Sequence, residues 1–232
     1  MKKGLLILLC LPMIGFGQNK FEIGIITGFS TDYSNHPLNN MIPVDKESGN
    51  SNSNLTGGIN FKYNLSSRVS FSTYLTHKTY GNEFTFYHTL TGGVIGPGEL
   101  ISFHSKQKYI HAPLLLEYTV LNNKIRINLK SGFYYAHLID EHHSIESDII
   151  INFNNSSLGF FSDDFYKKSD YGIVFGAGAS YSIDKLNILV DFHFNQGISD
   201  FSSEEWKDFL QNYEGKDNNM SLSTIFGITY NI

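Results

Sequence analysis

Apolar and polar residues alternate with a period of two in eight stretches of this chain. In "LNILVDFHFN" (186–195), Leu186, Ile188, Val190, Phe192 and Phe194 share one face; Asn187, Leu189, Asp191, His193 and Asn195 share the other. That spacing predicts a β-strand with one apolar and one polar face. The pattern recurs in "FEIGIITGF" (21–29), "LTGGINFKY" (55–63), "VSFSTYLTH" (69–77) and "IHAPLLLEY" (110–118). It returns in "IRINLKSGFYY" (125–135), "YGIVFGAGASY" (171–181) and "LSTIFGITY" (222–230). None of these segments carries a long helical period.

The connections alternate in length. "NLSSR", "TVLNNK" and "SIDK" join strands two to three, four to five and six to seven, and they read as tight hairpin turns. The other four connections, 31–54, 79–108, 137–169 and 196–220, read as long loops. Long structureless loops are uncommon in compact soluble domains. Short turns at one end and long loops at the other are the habit of outer-membrane barrels.

The two faces differ in charge. No residue on the apolar face of the eight segments is Asp, Glu, Lys or Arg, and His77 is the one departure from neutrality. The opposite face carries Glu22, Lys62, Glu117, Arg126, Lys130, Asp170 and Asp191, with Lys78 just beyond: four acids against four bases. Strands two, four, six and eight end on Tyr63, Tyr118, Tyr181 and Tyr230, and Phe21 begins strand one at the same level. A ring of hydroxyls gains nothing inside an apolar core, but it suits the headgroup depth of a bilayer. The apolar face is therefore expected to meet lipid, and the charges to point into the barrel. A soluble, lipocalin-like barrel would need every register inverted.

The prediction is an all-β protein, an eight-stranded antiparallel up-and-down transmembrane β-barrel with both termini in the periplasm. Strand eight runs to Ile232 and can pair with strand one, which leaves no edge. Gly57, Gly58, Gly132, Gly176 and Gly178 relieve crowding in curved strands. Pro113 removes one ladder bond and is read as a bulge or local bend.

The N-terminus changes the picture of compartment. Lys2 and Lys3 precede an apolar run from Gly4 to Phe16, and Gly15 and Gly17 form a small-x-small site before Gln18. Residues 1–17 read as a secretory signal peptide for Sec-type export, and 18–232 as the barrel domain. Leu9 before Cys10 does not suit lipoprotein processing, and removing the signal removes the only cysteine. The mature chain has 15 basic against 22 acidic residues once Lys2 and Lys3 are lost, about −7, which gives no reason to expect nucleic acid.

"YIHAPLLLEYTVLNNKIRINLKSGFYY" (109–135) resembles the signature hairpin of the PorT-type outer membrane β-barrel family. There a Tyr-x-x-x-Pro-Leu-Leu strand precedes a short turn and a strand ending in Gly-aromatic. The signal ending "FGQ" and the terminal "FGITYNI" fit the same picture, that of a small, OmpX-like architecture. The resemblance implies outer-membrane residence and no shared catalytic residues. It leaves a role in a secretion or gliding apparatus open.

Candidate sites follow from the faces and loops. An eight-stranded bore is just wide enough for side chains to fill, so Glu22, Lys62, Glu117, Arg126, Lys130, Asp191 and His193 are expected to form a structural polar network. In loop three, "DEHHSIESD" (140–148) holds Glu141, His142, His143, Glu146 and Asp148, types a divalent metal accepts at a spacing that matches no metal motif. In loop four, Ser202 and Glu205 form a capping box, and Trp206, Phe209, Leu210 and Tyr213 follow at helical spacing. This short amphipathic helix reads as a lid on the mouth or a membrane-surface element, or as an anchor for a protein partner.

A lipid A-modifying enzyme is the catalytic alternative. His77 faces outward near the outer rim with Thr79 beside it, but no Ser stands at the spacing of the outer-membrane deacylase, and His193 points inward. The expectation is a non-catalytic barrel that displays loops for adhesion, envelope integrity or partner binding. Its partners would be outer-membrane lipid and a protein at the loops, and no cofactor or metal is implied.

Overall fold

The computed structural model describes residues 20–34, 53–88, 99–147, 166–204, 207, 216 and 218–232. They hold β1 (Phe21–Ser34), β2 (Ser53–Asn64), β3 (Val69–His88), β4 (Glu99–Asn122), β5 (Ile125–Ser147), β6 (Ser169–Ile183), β7 (Leu186–Gly197) and β8 (Asn219–Asn231). Each strand pairs antiparallel with the next, and β1 pairs with β8, so the sheet closes on itself. At the seam Ile23 faces Tyr230, and the Ile232 amide donates to the Phe21 carbonyl at 2.9 Å. Closure satisfies the backbone where no water can.

The apolar face turns outward. Ile25, Leu55 and Phe133 are 70, 78 and 69% exposed, whereas Glu117, Asp170, Asn187 and Asp191 are 1% exposed or less. A soluble barrel would show the reverse. The tight turns lie at 65–68, 123–124 and 184–185. Asp184 adopts a positive φ of 53° there, as a two-residue hairpin loop demands and an aspartate tolerates.

Two expectations are corrected. Most of 79–108 is strand rather than loop: β3 continues to His88 and β4 starts at Glu99, while β5 runs on to Ser147. The apolar band of a membrane barrel needs only about 9–11 residues per strand, so these three strands project beyond it. β2 pairs with β3 no further than Gly57–His77, and β6 pairs with β5 no further than Ser169–His137. The projecting part is thus a three-stranded sheet whose outer strands have no strand partner among the described residues.

Pro113 is not a bulge. It sits opposite Tyr134 on β5 and interrupts the β3–β4 ladder between Thr73–Leu114 and Thr76–His111 without shifting the register. The shifts fall elsewhere on the β4–β5 hairpin, between Thr119 and Leu121 and between Lys108 and Tyr109. Val120 and Ile139 are the extra residues. A proline lacks the N–H, so the ladder loses a hydrogen bond there.

Candidate functional site

The inward residues build three tiers. Near the short turns, the Glu22 carboxylate accepts hydrogen bonds from Asn187 Nδ2 (3.0 Å), Asn64 Nδ2 (3.1 Å) and Thr229 Oγ1 (3.1 Å). Arg126 lies 3.6 Å from it and donates to Asn187 Oδ1 at 2.8 Å. One carboxylate so gathers groups from β2, β5, β7 and β8.

The middle tier is a chain of alternating charges. Lys62 Nζ meets Glu117 at 2.7 Å, and Lys130 Nζ lies 3.0 Å from the other Glu117 oxygen and 2.7 Å from Asp191. Ser72 donates to Glu117 at 2.5 Å, and the Tyr74 hydroxyl donates to Asp191 at 2.8 Å while accepting from Lys130 at 2.8 Å. Buried charges survive only when paired and hydrogen-bonded in this way. β6 makes the room: a Cβ at Gly178 would collide with the Asp191 carboxylate, and one at Gly176 would come within 2.6 Å of the His193 ring.

Above this, His193 packs on Tyr74 (5.4 Å between centroids) and His111 on Tyr134 (4.9 Å). Both histidines border a cavity of about 20 Å³ with Thr56, Thr76, Lys78 and Asn195. Such a space holds about one water-sized guest. Lys78 donates to Ser221 at 2.6 Å and lies 3.5 Å from Asp32.

The outer ends of β5, β6, β7 and β8 are tied together. Asp170 accepts from Ser199, and from Tyr134 and Asn219 at 3.1 Å each. Tyr166 stacks on Phe201 at 5.5 Å and bridges to Ser202, and the Lys167 amide donates to the Phe201 carbonyl at 2.7 Å. The segments that precede β6 and follow β7 therefore fold against each other.

Glu22, Lys62, Glu117, Arg126, Lys130, Asp191 and His193 all face this interior, and the structure brings six of them into two linked groups. His193 stands apart from the ion pairs, against Tyr74. Phe21, Tyr118, Tyr181 and Tyr230 are exposed and Tyr63 half-buried, all at the short-turn end; Phe21 packs on Tyr63 at 4.9 Å. Trp206, Phe209, Leu210 and Tyr213 lie outside the described residues.

The candidate metal segment is corrected. Residues 140–147 belong to β5 rather than to a loop, and Asp148 lies outside the described residues. Glu141 is half-buried opposite Gln107 and His142 is exposed opposite Lys106, so neighbours in sequence point to opposite faces. Beside them, the half-exposed Lys108 binds Asp140 at 2.6 Å, and that hydrogen bond holds the carboxyl below its usual range. His77 is exposed on the outer face between Gly57 and Ile110.

Several interior residues escape a sequence reading. Tyr74, Tyr80, Tyr109 and Tyr134 are buried, although tyrosine also marks the lipid-facing ring. The signal that separates them is parity: Tyr74 shares its face with Ser70 and Ser72.

A family profile described as outer membrane protein beta-barrel domain matches residues 16–203. Neisserial surface protein A has a similar structure, with a TM-score of 0.46 and 13% identity over 94% of this chain and 100% of that one. OprG of Pseudomonas aeruginosa and outer membrane protein W of E. coli each give a TM-score of 0.45 and 13% identity over 93% of this chain and 98% of theirs. No curated protein sequence matches the chain.

Proposed function

The chain belongs to the outer membrane β-barrel family and resides in a bacterial outer membrane, and we propose from this that its task is non-catalytic display. The projecting part of β3, β4 and β5, together with the loops, is the working surface, and it serves adhesion, envelope integrity or capture of a partner. The carrying observation is the contrast between the two halves of the molecule. The bore is filled by ion-paired side chains from Glu22 to Asp191, while three strands extend well past the lipid band. Outer strands with no strand partner among the described residues suit strand addition by a bound segment.

Purified, folded protein in a planar bilayer is expected to give no stepwise ion current above the lipid baseline at moderate voltage. Regular single-channel steps would replace display with conduction.

A second reading, a component of a secretion or gliding apparatus, is favoured by the β4–β5 hairpin, whose residues 109–135 carry the PorT-type resemblance. An enzyme at the rim is weighed through His77. The His77→Ala variant should leave the lipid A profile of the cell unchanged, as read by mass spectrometry. A changed profile would make the barrel a lipid-modifying enzyme.

A further inference from the structure

We propose that the outer face of β4 and β5, at Lys106 and Lys108, is a docking site for the phosphate of an outer-leaflet lipid. In a strand, alternate residues share a face, and two such neighbours stand about 6.8 Å apart. Lys106 and Lys108 both point outward, because Leu114, Leu116 and Tyr118 on the same parity are exposed to lipid.

Height places them. Ten residues separate Tyr118, at the short-turn end, from Lys108. At about 2.6 Å of height per residue in a strand tilted by about 40°, that is about 26 Å. The apolar band of a membrane barrel is about 25 Å tall. Lys108 therefore stands where hydrocarbon gives way to headgroups, and Lys106 stands just above. Ile110 and Tyr135 lie directly below and give acyl chains an apolar wall.

The cations occupy one sector. Ten residues along β1, β6, β7 and β8 from Phe21, Tyr181, Leu186 and Tyr230 lie Thr31, Tyr171, Gln196 and Met220, all uncharged. Around the lysines, His142 sits opposite Lys106, and exposed His137 and Lys168 lie near. Among the described residues neither Lys106 nor Lys168 forms an ion pair. Asp140, opposite Lys108, fixes the Lys108 ammonium at 2.6 Å. Two ammonium groups held at headgroup level match a phosphate monoester on a glycolipid, and clustered bases at a membrane surface recognise anionic headgroups.

The test uses the folded full-length protein in neutral detergent, with binding followed by native mass spectrometry. The probes are phosphorylated lipid A, the same lipid dephosphorylated, and inorganic phosphate. Phosphorylated lipid A should bind at least tenfold more tightly than the dephosphorylated lipid, and inorganic phosphate should not compete at equal concentration. K106Q/K108Q should lose that preference, while K124Q/K185Q at the periplasmic turns should keep it. D140N, which frees Lys108, should tighten binding about threefold and serves where the double variant folds poorly. Equal binding of the two lipids, a preference that survives K106Q/K108Q, or no change in D140N would overturn the assignment. Competition by inorganic phosphate would replace the lipid with a soluble anion.

Discussion

Replacing Lys130 with methionine is expected to lower the unfolding free energy of the barrel by about 3–5 kcal/mol, the cost of stranding a buried charge. Lys130 is the only cation in contact with Asp191 among the described residues, whereas Glu117 keeps Lys62. The loss falls on Asp191, which retains the Tyr74 hydroxyl alone. Removing the whole group should cost far less. K130M/D191L/Y74F takes away both charges and the hydroxyl that served them, and replacing a buried ion pair by apolar residues is often neutral or stabilising. Urea unfolding in lipid vesicles separates the two. A cost under about 1 kcal/mol for K130M would mean that water reaches Asp191, and the bore would then be a wet channel rather than a filled core.

The second large effect lies on the opposite face. Phe175→Arg places a charge on the lipid side of β6 near the middle of the band, and should cost about 2–4 kcal/mol. Ile183→Arg lies on the same face beyond Tyr181, at the rim, and should cost about 0–1 kcal/mol. Both side chains are about half exposed, at 52 and 49%, so burial within the protein does not distinguish them. Only depth in hydrocarbon does. Equal costs at the two positions would remove lipid from the account of that face.

The barrel wall was legible because lipid enforces a strict alternation. Every outward position from Ile23 to Phe29, or from Leu186 to Phe194, meets hydrocarbon, and the inward ones meet a polar bore. That contrast fades where the strands leave the membrane. In "KTYGNEFTFYH" (78–88) the strict alternation lapses, so β3 reads there as a loop although its backbone remains paired to β4. The interior residues were legible as a set but not as partners. Tyr74 meets Asp191 across 117 positions of sequence, and Lys78 meets Ser221 across 143. Which inward groups meet depends on the stagger of strands around the barrel, and local pattern does not contain that quantity. Tyr134 and Tyr135 show the same limit in miniature. They are adjacent and chemically identical, yet one binds Asp170 in the bore and the other faces outward.

The seam between β1 and β8 also governs how the molecule can be made. Glu22 is held by Asn64, Asn187 and Thr229, at separations of 42, 165 and 207 residues. The first strand thus waits for the last before its carboxylate is fully served. Until then an open sheet would carry two raw edges into the bilayer, each a template for wrong pairing. Joining ends so far apart is entropically slow to begin, so insertion and closure must be one late event, completed only when the final residues are in hand.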